Sequence, residues 1–206
     1  MLEEQKQNIR EIIELFDRAE DKVKEIEQLD QEISIPSINE LRYVGYHLAR
    51  LFCEEDPQEI DTQIIKAKNH CQRAIYDAHE IGIIYMLEQI KFFKETYLSS
   101  INFVIEVLPD YADSLRIAQE SSVFIAKIKE HHRENRDIYY EECQPHYASL
   151  RKVFDTFILA KPLIEQKKIA ANKNDKKETR RFVINVLLII LGIIVAIIIG
   201  FFSIVN

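Results

Sequence analysis

Apolar side chains recur at helical spacing along most of the chain. Near the N-terminus they alternate at steps of three and four positions, which gives a heptad-like seam: Leu2, Ile9, Ile12, Phe16, Ala19, Val23 and Ile26. This spacing predicts one helix over roughly residues 2–30. The seam suits a coiled coil with a second subunit and equally suits packing within its own domain, and both alternatives stay open.

A longer helical pattern follows the turn EEDP. Asp56 is placed there as an N-cap and Pro57 as the first helical residue, where a missing N–H costs nothing. The apolar positions that keep the helical period are Ile60, Ile64, Ala67, Cys71, Ala74, Ala78, Ile81 and Tyr85, continuing to Phe93. They predict one helix of about 40 residues or more, which ends near residues 98–100.

Shorter helical segments complete the pattern before residue 166. Ser37 and Glu40 are spaced as a capping box for a helix that runs to about Cys53. A further helix is predicted after Pro109, and a last one, or a kinked pair, begins near Pro145. The predicted inward positions of these last segments are Tyr111, Leu115, Ala118, Ser122, Ile125, Ile128, Tyr147, Leu150, Phe154, Phe157 and Ile164.

The composition agrees with long helices joined by short turns. Only Gly45 and Gly82 occur before the apolar C-terminal run, the prolines fall at plausible segment boundaries, and no strand-like alternation is found. We therefore predict an all-α protein. Residues 1–165 form a cytosolic bundle of long antiparallel helices, residues 166–181 a basic juxtamembrane linker and residues 182–206 one transmembrane helix.

The C-terminal run carries no charged residue from Phe182 to Asn206. At about 1.5 Å of helical rise per residue, this length exceeds the hydrocarbon thickness of a bilayer, so the run is predicted to span one. The N-terminal MLEEQKQN has neither the basic flank nor the apolar run of a secretory signal. The pattern therefore predicts a tail-anchored, single-pass membrane protein.

The residues before this run predict its orientation. Lys167–Arg181 holds seven basic side chains beside Asp175 and Glu178, and nothing charged follows the run. Because basic flanks stay on the cytoplasmic side, the N-terminal domain is expected in the cytoplasm and the anchor in the inner (plasma) membrane.

The small and polar residues of the run share one side of the predicted helix. At about 100° per residue they fall within an arc of about 120°: Asn185, Gly192, Ala196, Gly200, Ser203 and Asn206. Two successive small-x-x-x-small steps among them let helices approach closely in a bilayer. We predict self-association, either as a dimerising anchor or as an oligomer whose stripe lines a pore, with Asn185 and Ser203 as polar rings. The remaining alternative is a chance pattern.

Outside the tail and its basic flank the chain is acidic. Of 27 basic and 34 acidic side chains, 20 and 32 lie in residues 1–165, which gives these residues a net charge of −12. Bulk duplex nucleic acid is therefore not an expected partner. Cys53, Cys71 and Cys143 form no C-x-x-C pair, so neither a disulfide nor a zinc site is expected, and no metal or other cofactor is predicted.

The stretch HCQRAIYDAHE places Arg73 and His79 in an R-x5-H arrangement inside the long predicted helix. It resembles the R-x4-6-H motif of the HEPN superfamily, compact all-helical domains many of which are metal-independent ribonucleases in toxin and phage-defence systems. The resemblance implies that His79 would handle a proton at the ribose 2′-hydroxyl or the leaving oxygen, and that Arg73 would offset charge on the phosphate. It also implies two subunits with juxtaposed motifs.

Two features favour the alternative of a degenerate helical scaffold. Ala74 follows Arg73, where active members of the superfamily usually carry a polar residue. A six-residue offset on a regular helix also turns the two side chains about 120° apart. In this alternative Arg73 is solvated or ion-paired and His79 is a partly buried polar residue.

A second candidate site lies in KIKEHHRENR, where basic and histidine side chains gather on the acidic domain: Lys127, Lys129, His131, His132, Arg133 and Arg136. They could hold an anionic ligand such as a nucleotide or a short oligonucleotide, and the alternative is a plain charged helix end. His47, His70 and His146 have no spacing that predicts a metal site.

This architecture resembles the membrane effectors of bacterial phage-defence systems, such as those of Hailong systems, in which a cytosolic domain gates a toxic membrane-disrupting assembly. The resemblance implies an oligomeric effector whose helical domain senses a ligand or a partner protein and whose transmembrane helices assemble into a pore or channel. Two alternatives remain: a membrane-tethered ribonuclease that uses Arg73 and His79, and a non-catalytic membrane tether.

Overall fold

The computed structural model describes the backbone of residues 3–131 and 136–205, and the side chains of residues 3–127 and 142–193. Its six α-helices are α1 (Glu3–Asp30), α2 (Ile35–Leu51), α3 (Pro57–Thr96), α4 (Ile101–Val107), α5 (Tyr111–His131) and α6 (Arg136–Val205), with a 3₁₀ turn at Leu98–Ser100. No strand occurs in these described ranges, and the predicted all-α class is confirmed.

Capping interactions of neighbouring residues set the start of α3 and the end of α1. The Asp56 carboxylate accepts a hydrogen bond from the backbone N–H of Gln58 at 3.0 Å, and Pro57 opens α3, which confirms the predicted N-cap. Helix α1 ends as Gln31 takes the left-handed conformation at φ 63°, with its N–H bonded to the Glu27 carbonyl at 3.0 Å.

The predicted capping box of α2 is wrong. The helix already begins at Ile35, with Pro36 in its first turn. Because proline presets the helical φ and needs no hydrogen-bond acceptor for a backbone N–H, the chain is helical before Ser37 is reached. Ser37 instead lies buried inside the first turn, where its hydroxyl is 2.7 Å from that of Ser34.

The predicted start of the last helix at Pro145 is also wrong, and two of the prolines do not mark boundaries. Helix α6 begins at Arg136 and continues through Pro145 and Pro162. A proline inside a helix removes one backbone hydrogen bond. Cys143 before the proline and Tyr147 and Leu150 after it are all buried at helical spacing on one face, and we attribute the continuity of the helix to that shared burial.

The chain divides into two compact units, and the first comprises residues 1–98 and 110–158. One core cluster of this unit contains Ile12, Val44, Ile60, Ile64, Ala67 and Cys71, with Ile9, Leu15, Phe16, Leu48 and Leu51 packed against it. The apolar seam of α1 is thus buried within its own domain. Of the two uses that the sequence left open for the seam, intradomain packing is the one observed.

Cross-helix contacts fix the directions of the helices in this unit. Helix α1 runs parallel to α3, whereas α2 runs antiparallel to α3. The pairs are Gln5–Asp61 at 3.1 Å, Glu11–Lys68 at 2.6 Å, His47–Gln63 at 2.7 Å and Glu40–His70 at 2.5 Å. Successive long helices therefore alternate in direction, as expected for a bundle with short connections.

Aromatic rings close the far end of the same unit. Phe93 of α3 is 1% exposed, and its ring centroid lies 4.4 Å from that of Phe157 and 4.8 Å from that of Tyr97. Tyr111, at the start of α5, lies 5.7 Å from Phe157 between ring centroids. This cluster joins α3, α5 and α6 where α3 ends.

The second unit comprises residues 99–109 and 159–206. Its buried apolar side chains include Val104, Leu108, Ala160 and Ile164. The Lys167 ammonium also donates to the Glu106 carboxylate at 2.5 Å. The segment predicted as a juxtamembrane linker, residues 166–181, is helical throughout as part of α6, and its side chains are exposed from Asn172 onward.

Candidate functional site

A cleft of about 590 Å³ lies between α1, α3 and α6 within the first unit. Its lining residues are Arg18, Asp21, Lys22, Glu25, Ile75, His79, Gln144, Tyr147, Ala148, Arg151 and Lys152. We call it the basic cleft, because four of these side chains are cationic and two are carboxylates. Its volume falls in the range of pockets that hold small molecules.

The helical repeat explains how these side chains come together. Residues of the cleft are sequence neighbours of residues of the buried face, so that the cleft follows the edge of the core. Examples are Arg18, Lys22 and Glu25 before Ala19, Val23 and Ile26, and Arg151 after Leu150 on α6. The spacing that buries the apolar seam thus also aligns the polar row.

Glu25 lies at the centre of the polar groups. Its carboxylate accepts a hydrogen bond from the Tyr147 hydroxyl at 2.6 Å and one from the Lys22 ammonium at 2.5 Å. The same ammonium lies 4.8 Å from the centroid of the Tyr147 ring. Burial alone would raise the pKa of Glu25, but the hydrogen bonds from Lys22 and Tyr147 outweigh it, and the pKa lies below its ordinary value.

Tyr147 and Arg151 complete the group on α6. Burial, and then the hydrogen bond to Glu25, raise the pKa of the Tyr147 phenol, which therefore keeps its proton as a donor. The Nε of Arg151 lies 3.1 Å from each carboxylate oxygen of Asp155. Arg151 also interacts with the Tyr147 phenol, and it lines the cleft.

His79 lines the same cleft from α3 and is 5% exposed. Its ring centroid lies 5.0 Å from that of Tyr147. Burial, and next the charge of Lys22, lower the pKa of His79 to about 4, while Glu25 opposes the change. The imidazole is therefore neutral at pH 7.

This buried histidine should make the domain less stable in mild acid. Since the pKa is about 4 in the folded protein and 6.5 ordinarily, the unfolded chain takes up a proton first as the pH falls. The contribution of neutral His79 to the free energy of unfolding is fully present above pH 6.5. It is lost as the pH falls from 6.5 to 4, on the order of 3 kcal/mol in total. Urea unfolding of the full chain in detergent micelles should show this loss in the wild type.

The His79→Gln variant provides the reference, because it lacks the titrating ring and keeps a polar side chain. Carboxylates elsewhere contribute to both proteins and cancel in the difference between the two pH profiles. Parallel profiles over this pH range would contradict the assignment.

The structure does not bring the two residues of the R-x5-H motif into one site within the chain. Arg73 is half-buried on α3 and is not among the residues that line the basic cleft, whereas His79 is. The pairing of Arg73 with His79 across two subunits stays a prediction.

The buried thiols offer no nucleophile at neutral pH, since burial raises the pKa of Cys71 to about 11 and that of Cys143 to about 12.

The second candidate site falls largely outside the described side chains. Lys127 is exposed on α5 and lines a smaller groove with Phe124, Glu142 and His146. Helix α5 ends at His131 and α6 begins at Arg136. The side chains of Lys129, His131, His132, Arg133 and Arg136 lie outside the described part of the chain, and their role as an anion site stays a prediction.

The predicted membrane-spanning stretch is only partly described. Side chains from Phe182 to Ile193 are all exposed, and those of Ala196, Gly200 and Ser203 lie outside the described residues. Asn185 is among the exposed residues, and a Cβ built on Gly192 would meet no atom within 4 Å. Within the described residues, no helix has the length and apolar character needed to cross a bilayer. The span stays a prediction.

Sequence reasoning missed the basic cleft as a site. Lys22, Glu25 and Arg151 lie on helices separated by more than a hundred residues, and only the row of charged positions beside the α1 seam hinted at a polar face. Among the described residues, no group of three histidines, cysteines or carboxylates is arranged to hold a metal ion.

The charge of the cleft sets what it can attract. Arg18, Lys22, Arg151 and Lys152 against Asp21 and Glu25 give the lining residues an excess of two positive charges, which the ion pair of Arg151 with Asp155 reduces to one, on a chain whose net charge is −7. An anion is the ligand that this balance favours.

No protein-family model, no curated protein and no solved structure matches this chain.

Proposed function

We propose that the protein is an oligomeric membrane effector. Its helical domain binds a ligand or partner on the cytoplasmic side, and its C-terminal segment, residues 182–206, assembles in the inner membrane into a pore or channel that acts in defence against phage. The observation that carries the proposal is the uncharged C-terminal run, which follows a segment with seven basic side chains and has its small and polar residues on one helical face.

The surroundings of Gly192 support an intermolecular role for this face. Glycine costs a helix interior about 1 kcal/mol relative to alanine, so it needs a reason to be there. Within the chain, a Cβ at Gly192 would touch nothing within 4 Å. Close approach of a second copy supplies that reason, as in membrane helices that pack through small residues.

Helix α6 also supports a link between binding and assembly. Tyr147 and Arg151 of the basic cleft and the uncharged run from Phe182 belong to this one helix. In this proposal, a ligand in the cleft contacts the same helix that enters the bilayer. Membrane effectors need such a link, because an effector that assembled without control would kill its own host.

The proposal is tested by membrane potential in bacteria. Induction of the full chain should depolarise the cells, as followed with a voltage-sensitive dye, whereas a chain without residues 182–206 should not. A second control carries an unrelated single-span anchor with no small-residue stripe, and it should reach the membrane without depolarising it. The proposal fails if the full chain does not sediment with membranes, if it inserts without changing the potential both in uninfected and in phage-infected cells, or if the exchanged anchor works as well.

A ribonuclease is the second candidate, and the position of His79 in the basic cleft favours it. A neutral imidazole beside cationic side chains could accept a proton from a ribose hydroxyl. This candidate requires purified full-length protein to cut RNA, and requires Arg73→Ala and His79→Ala each to abolish cutting. Depolarisation that persists in both variants would exclude catalysis as the cause of toxicity, and a tether would produce neither effect.

A further inference from the structure

We propose that the basic cleft binds a small phosphate-bearing molecule, and that the Glu25 carboxylate holds the position that a phosphate oxygen takes on binding. This names the ligand class of the helical domain. The inference rests on the proposed function only for the consequence of binding, because binding itself does not require the tail.

The hydrogen bonds around Glu25 locate the anion position. A carboxylate oxygen already lies 2.6 Å from the Tyr147 hydroxyl, and the other lies 2.5 Å from the Lys22 ammonium. The Tyr147 phenol keeps its proton at neutral pH, since burial raises its pKa. A phosphate oxygen makes the same two charge-assisted contacts and carries more charge than a carboxylate.

Glu25 can leave this position. Its side chain is 41% exposed, whereas that of Lys22 is 24% exposed and Tyr147 is buried. A ligand from solvent therefore meets the carboxylate first, and the two donors remain in place behind it. Moving Glu25 aside costs two hydrogen bonds, which the incoming phosphate restores.

The other cations set the class of ligand. Arg151 and Arg18 present planar guanidinium groups, which suit phosphate oxygens, and Lys152 adds a further positive charge at the exposed rim. Asp21 is the second carboxylate of the cleft, and the four cationic side chains outnumber the two carboxylates. The volume of about 590 Å³ leaves room beside a phosphate group for an organic part of roughly nucleotide size.

The test measures binding by isothermal titration to the full chain in uncharged detergent micelles, with no phospholipid present. Pyrophosphate and ATP are the probes, and adenosine is the control without phosphate. Both probes should bind and adenosine should not. If binding appears only when anionic phospholipid is added, or only with a single-stranded oligonucleotide, the small-molecule class is wrong.

Variants locate the binding in the cleft. Arg18→Gln and Lys152→Gln change exposed side chains and should each weaken ATP binding about tenfold with the fold intact, and Arg151→Gln should do the same. The matched control is Lys24→Gln, which removes a lysine from the same helix α1. Lys24 is paired with Glu20 at 3.2 Å and is not a cleft residue. If Lys24→Gln weakens ATP binding equally, the loss arises from the change in net charge, and the proposal is overturned.

Glu25→Gln tests the displacement. The amide keeps the size of the side chain and removes the competing charge, so ATP should bind about threefold or more tightly. Weaker binding in this variant would mean that Glu25 supports the cations and does not occupy the anion position. Absence of binding by both probes at millimolar concentration would overturn the ligand class while leaving the depolarisation test of the proposed function untouched.

Discussion

Gly82→Val should lower the free energy of unfolding of the helical domain by about 3 kcal/mol. A Cβ built on Gly82 would lie 2.6 Å from Cδ1 of Ile26 and 2.8 Å from Cε2 of Tyr147, both closer than side chains tolerate. The Ile26 methyl is the flexible end of its side chain and can turn away. The outcome therefore depends on the tyrosine ring.

Tyr147 has little freedom to move. Its hydroxyl is bonded to Glu25, its ring packs 5.0 Å from that of His79, and the Lys22 ammonium covers it at 4.8 Å. To admit a side chain at Gly82, this ring must shift and stretch the hydrogen bond to Glu25. Valine then adds two further methyl groups where one Cβ already collides, and overpacking of this kind is strongly destabilising.

Gly45→Val is the matched control for this prediction. Gly45 also lies inside a helix, α2, but a Cβ there would meet no atom within 4 Å. Valine should change stability at this position by less than about 0.5 kcal/mol, because its helix propensity slightly exceeds that of glycine. Urea unfolding of the full chain compares the two variants, and equal midpoints would contradict the close packing of α1, α3 and α6 at Gly82.

Local chemistry made the main helices predictable. Asp56 and Pro57 mark the start of α3 through a side-chain cap and a preset φ, both of which depend only on neighbouring residues. The periodic apolar positions from Ile60 to Phe93 then require forty residues of helix, as observed. A long helix with strongly periodic apolar positions can therefore be predicted from the sequence alone.

Tertiary packing explains where prediction from local signals went wrong. Pro145 is a boundary signal in isolation, yet α6 passes through it, and Cys143 before it and Tyr147 after it are both buried on one helical face. The basic cleft was missed for a related reason. Glu25 and Tyr147 are 122 positions apart, and their hydrogen bond depends on the packing of α1 beside α6.

Replacing Gly192 and Gly200 together by leucine should abolish self-association while the protein still reaches the membrane. Leucine is more favourable than glycine in both a helix and a bilayer, so neither helix formation nor insertion should suffer. At Gly192 the chain itself leaves open space, in contrast to Gly82, where two side chains press against the backbone. A loss of assembly would therefore arise between copies, because the large side chains hold neighbouring helices apart.

The alanine pair, Gly192→Ala with Gly200→Ala, is the control that separates size from glycine itself. Alanine keeps both small-x-x-x-small steps, so assembly and depolarisation should persist. Chemical cross-linking in native membranes reports association, and the voltage-sensitive dye reports conduction in the same cells. If the leucine variant still cross-links and depolarises, the small-residue face of residues 182–206 does not mediate assembly. If the alanine variant fails as completely as the leucine variant, small size is not sufficient, and the contact between helices requires glycine itself.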